Sequence, residues 1–153
     1  MIKKQVAIFN DTSVGLHYGC SAVMTNLCTF CAQANLEPSF FWPVGVDWRP
    51  HVTRLKKVLA NYQAIIVNGE GTIHNPHTRD RAKFLLELPE LASELAIPIY
   101  LVNSTIHNLD SDHLKMLLRF NRIFVRDTAS KKLLLNAKVS SSVVPDLSCF
   151  PFI

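Results

Sequence analysis

The chain contains no apolar stretch approaching the roughly 18–20 residues that cross a bilayer. A charged start, Met1 to Lys4, is not followed by a long apolar region, so no signal peptide is expected and the cytoplasm is the expected location. Cysteine is sparse, with four residues at irregular spacing, which fits reduced thiols and not a disulfide framework. Internal repeats, low-complexity segments and linkers are absent. No Gly-Lys-Ser/Thr follows the glycines of a phosphate loop, and no Gly-x-Ser-x-Gly elbow occurs, which removes the common nucleotide-hydrolase and serine-hydrolase readings. The basic residues form no stripe with interleaved aromatics, and the tightest group, Arg54, Lys56 and Lys57, reads as a solvated face. A nucleic-acid partner is therefore not expected.

What is present is a globular composition. The 153 residues suffice for one well-buried domain and not for two. Hydrophobic residues make up 48% and charged residues 18%, far from a disordered balance. A mean hydropathy of +0.16 fits strands buried on both faces. The net charge of +4 suits anionic ligands such as phosphates and nucleotide sugars.

Short apolar runs alternate with helical spacing. Val6–Phe9 predicts a first, central strand, and Cys20–Asn35 a helix with Val23, Leu27, Phe30, Cys31 and Ala34 on one face. Ser39–Trp42 predicts the second strand and Arg49–Ala60 the second helix, with Asp47 as its cap. Ala64–Val67 is the clearest strand; Arg79–Leu95 follows as a helix kinked or broken at Pro89. Pro98–Val102, Arg122–Val125 and Ser142–Val144 complete the strands, with helices over Asp110–Phe120 and Asp127–Asn136. The alternation predicts an α/β fold: a doubly wound, mainly parallel, Rossmann-like sheet of about six strands with helices on both faces. The apolar tail Pro145–Ile153 has no helix after it and is expected to dock on this domain or to lead into a second one.

In such a sheet ligands bind beyond the carboxyl ends of the strands. The residues leaving those ends are polar: Asn10 to Ser13, then His17, Gly19 and Cys20; Asn68 to Thr72, then His74; Asn103, Ser104, Thr105 and His107; Arg126 and Asp127; and Asp146. In Asn68-Gly69-Glu70-Gly71-Thr72, glycines let the backbone approach a ligand, and successive amides form an anion nest. Glu70 reads either as the solvated tip of a tight turn or as a base or hydrogen-bond acceptor for a hydroxyl. Arg126 reads either as half of an internal ion pair or as a bidentate anion ligand. Asp127 suits a helix N-cap, and Asp146 caps the last strand or lines the cleft. His51 and His113 read as exposed helical residues. Cys20, at a helix start, is open to acidification, while Cys28 and Cys31 read as core thiols. Zinc is not expected at the cysteines, because Cys20 and Cys31 on one helix stand about 16 Å apart at 1.5 Å per residue.

Taken in order, these segments resemble the polysaccharide pyruvyl transferase family. The resemblance is carried by His17-Tyr18-Gly19-Cys20-Ser21-Ala22, by Ile65 to His74 with its Asn-Gly-Glu-Gly-Thr core, by Pro98 to Thr105, by Phe124-Val125-Arg126-Asp127 with Ser130, and by Val144 to Ser148. It implies one half of a paired-Rossmann architecture of the glycosyltransferase type. It implies transfer of the enolpyruvyl unit of phosphoenolpyruvate, as co-substrate, onto two hydroxyls of a sugar as a cyclic ketal. No other cofactor and no metal is implied. Glu70 and His74 become the expected catalytic residues. His17, Gly19, Asn68, Gly69, Gly71, Thr72, Asn103, Ser104, Thr105, Arg126, Asp127 and Asp146 become the expected substrate-binding residues. The expected partners are a sugar, or a nucleotide- or lipid-linked sugar, as acceptor, and a second domain or partner chain carrying the phosphoenolpyruvate-gripping residues. Peripheral membrane association and a homo-oligomer stay open. Half of a glycosyltransferase, or a non-catalytic sugar-binding or scaffolding domain, are the alternative readings.

Overall fold

The computed structural model describes residues 3–15 and 17–151. Phe152 and Ile153, part of the apolar tail, lie outside the described residues, as do Met1 and Ile2. The described residues form six strands, all parallel, and five α-helices. β1 is Lys4–Asp11, β2 Leu36–Pro43, β3 Ala64–Glu70, β4 Ile99–Ser104, β5 Arg122–Val125 and β6 Ser142–Val143. The helices are α1 Tyr18–Gln33, α2 Val52–Leu59, α3 Asp80–Glu94, α4 Ser111–Leu117 and α5 Thr128–Asn136. The sheet order is β2-β1-β3-β4-β5-β6. No helix of the described residues is long and apolar enough to cross a membrane.

The order explains how the helices are shared between the faces. The chain steps one way from β1 to β2 and the other way ever after, so right-handed crossovers send α1 to one face and the later helices to the opposite one. The core divides accordingly. Ala7, Phe9, Ile65, Val67, Leu101, Ile123 and Val125 pack with Leu55 and Leu59 of α2, Leu85 and Leu88 of α3, Leu117 of α4 and Leu134 of α5. The alternate residues Val6, Ile8, Ala64 and Ile66 pack with Met24, Leu27 and Cys31 of α1. Period-2 alternation in the strands thus feeds two cores.

Several boundaries differ from the expectation for identifiable reasons. The second helix opens as a 3-10 turn, Arg49–His51, with Pro50 inside it; Trp48, not Asp47, takes the N-cap position, and Asp47 Oδ1, one residue earlier, accepts the Arg49 amide at 2.9 Å. Pro89 does not break α3, which runs through it. β2 contains Pro38, tolerated because β2 is an edge strand whose register against β1 shifts at that point. His113 is not exposed: its side chain is 12% accessible and its Nδ1 lies 2.7 Å from Asp110 Oδ1. His51 is exposed, with its ring against Trp42.

The tail docks on the domain. After Asp146 a 3-10 turn, Leu147–Cys149, lies along α1, where Leu147 packs against the smaller core. Asn26 of α1, itself buried, donates to the carbonyls of Leu147 at 2.8 Å and Phe150 at 3.2 Å. Phe150 meets Phe30 edge-on, with centroids 5.0 Å apart. Asn26→Ala is expected to cost about 1–2 kcal/mol through these two lost bonds. Urea unfolding is the measurement; a variant as stable as the parent chain would show that these two bonds do not hold the tail.

Candidate functional site at the strand ends

The single reversal of strand order falls between β1 and β3. Their following helices, α1 and α3, leave to opposite faces, which opens a crevice at the carboxyl ends of these strands. Glu70, the last residue of β3, stands at this point. Its Oε1 accepts Thr12 Oγ1 at 2.6 Å and Asn68 Nδ2 at 3.0 Å. Among the described residues its Oε2 meets only the weak thiol donor of Cys20, at 3.6 Å. One oxygen is therefore anchored and the other is left for a further donor. Beneath it, Asn10 Nδ2 donates to the Asn68 carbonyl at 2.6 Å and to Thr72 Oγ1 at 3.3 Å, locking β1 to β3.

The backbone at this end is unusual. Asn10, Glu70 and Asn103, at or near the ends of β1, β3 and β4, all have positive φ, of 64°, 40° and 54°. Asparagine tolerates this region; glutamate does so at a cost, and strain of this kind gathers where geometry serves a site. Four buried polar atoms without a partner among the described residues gather here too: Asn10 Oδ1, Asn68 Oδ1, Asn103 Nδ2 and Ser104 Oγ. Each forgoes about 1–3 kcal/mol of hydrogen bonding. Their concentration at three neighbouring strand ends marks this end of the sheet as built for something other than stability.

A second cluster adjoins Glu70. The Glu70 carbonyl accepts the Thr105 amide at 2.7 Å. Thr105 Oγ1 accepts Arg126 Nε at 2.8 Å, and Arg126 Nη1 reaches Asp146 Oδ2 at 2.7 Å. Arg126 Nη2 lies 3.7 Å from where a Cβ would stand on Gly71. Burial pushes the Asp146 carboxyl up, but the Ser148 amide and hydroxyl and the Arg126 guanidinium outweigh it and hold the group below the usual carboxylate range. Burial likewise pushes Asp127 up, while the Ser130 amide and hydroxyl bring it below the usual range; Asp127 Oδ1 caps α5 through Ser130 N at 2.7 Å.

A family model described as polysaccharide pyruvyl transferase matches residues 17–152. The chain belongs to this family. Among curated proteins none gives a significant sequence match.

Set against the pyruvyl transferase resemblance, the structure groups the expected residues in three tiers. Glu70, Gly71, Thr105, Arg126 and Asp146 share the rim. Asn68, Gly69, Thr72, Asn103 and Ser104 are buried beneath it; Asn103 Oδ1 accepts the Leu147 amide at 3.0 Å and so holds the tail. His17 and Gly19 lie at the start of α1, where His17 takes the N-cap position without a side-chain cap bond and its Nδ1 is 3.5 Å from Cys20 Sγ. The Cys20 thiol is not acidified: burial and then the Glu70 carboxylate push it up. Thr12 and Asn10, which orient Glu70 and its strand, received no role from sequence. The signal available was their polarity at the end of an otherwise apolar strand.

His74 stands to one side. Its ring stacks on His107 with centroids 4.4 Å apart, the two residues form a parallel bridge, and Arg79 contacts Nε2. Burial, then Arg79, then His107 hold its pKa below the ordinary imidazole value. The folded chain therefore binds this proton less readily than the unfolded chain. The stability linked to His74 is full above about pH 6.5 and is lost as pH falls below it. His74→Gln should lose less stability than the parent chain between about pH 7.5 and about pH 5.5, measured by urea unfolding; equal losses would remove His74 from this role.

Proposed function

We propose that this chain is the acceptor-holding half of a pyruvyl transferase that moves the enolpyruvyl unit of phosphoenolpyruvate onto a sugar of a cell-surface polysaccharide precursor. The observation that carries the reading is the Glu70 carboxylate at the strand-order reversal, with one oxygen fixed by Thr12 and Asn68 and the other turned to the crevice.

The reaction joins two sugar hydroxyl oxygens to C2 of the enolpyruvyl unit, adds a proton to the methylene carbon and releases phosphate. Of the two hydroxyl protons, one is balanced by the proton gained at the methylene and the other by the proton on the departing phosphate. Glu70 accepts a proton from an acceptor hydroxyl, a role that needs hydrogen-bond reach before anything else. Thr12 and Asn68 fix its orientation, so that little reorganisation accompanies the transfer. Arg126, oriented by Thr105 and Asp146, presents its remaining amino group beside Gly71 to an anionic part of the donor or the acceptor. A second lobe facing this rim supplies the residues that grip phosphoenolpyruvate. Because phosphoenolpyruvate is a cytosolic metabolite, the reading places the chain in the cytoplasm.

Support comes from family membership together with a rim whose carboxylate and guanidinium stand at the ends of β3 and β5, on either side of β4. The test is product analysis with the two lobes together: phosphoenolpyruvate and a nucleotide- or lipid-linked sugar should give a product heavier by a pyruvyl ketal, with release of phosphate. A hexose increment from a sugar-nucleotide donor would replace the reading with glycosyl transfer.

A further inference from the structure

Four of the six histidines of the chain meet at one corner, where the loop after β3 runs beside the loop after β4. The pairing keeps step: His74 bridges His107, and three residues further on in each loop His77 contacts Asp110. The first pair stands to one side of the rim described above. The second has no part in it. His77 Nε2 contacts Asp110 Oδ2, His113 Nδ1 lies 2.7 Å from Asp110 Oδ1, and the His77 and His113 rings stand perpendicular with centroids 5.0 Å apart.

We propose that His77, Asp110 and His113 form a binding site for a divalent transition metal ion of the zinc type, which clips the β3–α3 loop to the start of α4. One ligand atom from each residue lies within 4.8 Å of the other two. A tetrahedral ion with bonds of about 2.1 Å holds its ligand atoms about 3.4 Å apart, so small side-chain rotations suffice. Two imidazoles and one carboxylate suit zinc and its first-row neighbours and ill suit magnesium, which demands an oxygen shell. The carboxylate is already oriented. Asp110 Oδ1 accepts the Asp112 amide at 3.0 Å and the His113 amide at 2.9 Å, so Oδ2, now in contact with His77 Nε2, is the oxygen that would share an ion with that nitrogen. The side chains grade from the covered His113, 12% accessible, through Asp110, 39%, to the open His77, 72%, which gives an entry path from solvent.

In the sequence only His17, Cys20, Cys28 and Cys31 stood out as a candidate metal set. The three ligands come from two loops and a helix start, and neither His77 nor Asp110 stands near the other in the chain. The site does not depend on pyruvyl transfer, and its readout is binding.

The experiment titrates the metal-free full chain with zinc chloride alone, by calorimetry and by thermal unfolding, with magnesium chloride as a parallel arm. One equivalent of zinc should bind at micromolar concentration or tighter and raise the unfolding midpoint; magnesium should do neither. His77→Ala, at an open position, and Asp110→Asn, which preserves the helix cap, should fold as the parent does and each weaken zinc binding at least about 30-fold. His74→Ala should leave it unchanged. Absence of a zinc-dependent midpoint shift in the parent chain, an equal shift in His77→Ala and Asp110→Asn, or loss of binding in His74→Ala alone would overturn the assignment.

Discussion

Gly69→Ala should destabilise the fold by about 3 kcal/mol, the upper end of what overpacking a closed site costs. A Cβ at this position would stand 2.3 Å from Ser104 Oγ, 2.6 Å from Ser104 Cβ and 3.1 Å from Leu101 Cδ1. Neither neighbour can step aside. Ser104 and Leu101 are fully buried in β4, and β3 is fixed against β4 by the pairings Asn68 with Val102 and Glu70 with Ser104. Gly71, two residues on, has nothing closer than 3.7 Å to a Cβ. Gly71→Ala should therefore cost little, and the contrast separates a steric requirement from a general need for glycine in this stretch. Urea unfolding is the measurement. Ser104→Gly in the Gly69→Ala background removes both of the closest contacts and should regain most of the loss. A single variant as stable as the parent chain would mean that the two strand ends lie further apart than described.

Glu70→Gln should lower pyruvyl transfer by at least about 100-fold with the fold intact, the usual scale for removing a general base. The substitution is nearly isosteric. The amide oxygen can still accept from Thr12 and Asn68, so the positive-φ turn at residue 70 and its neighbours keep their bonds. Only the second oxygen, facing Cys20 and the crevice, is replaced by a donor that cannot accept a proton. The rate is read as phosphate release with both lobes present, and folding is checked separately by urea unfolding. Arg126→Ala should also slow transfer, and because it frees Asp146 it should loosen the tail as well. Turnover unchanged in both variants would remove the rim from the chemistry.

The strand-and-helix order was legible because each element obeys a local rule. β5 is Arg122–Val125, as its apolar run suggests, and Asp127 caps α5 as its place before Thr128 suggests. The end of β3 was less legible. Asn68, Gly69 and Glu70 read as a loop from their side chains, yet the ladder is made by backbone groups indifferent to them, and it carries β3 on to residue 70. The polar residues at the strand ends were visible as a set, but not their depth. Asn68, Asn103 and Ser104 share the type and spacing of rim residues and are buried, because extended pairing and the returning tail cover them. His113 was misjudged for a related reason: its partner Asp110 is a helix cap, and only the packing of two loops shows that the imidazole is covered.

The placement of β1 has a consequence for synthesis. Val6–Phe9, wholly buried in the finished fold, is flanked by β2 on one side and β3 on the other, and its β3 partners are Ala64–Val67. A ribosome adding about 5–20 residues per second leaves this apolar edge unpartnered for several seconds after it emerges. Nascent chains arrested before residue 64 should therefore cling to holdase chaperones and precipitate when released from them, while chains extended beyond residue 104, with β3 and β4 both in place, should not.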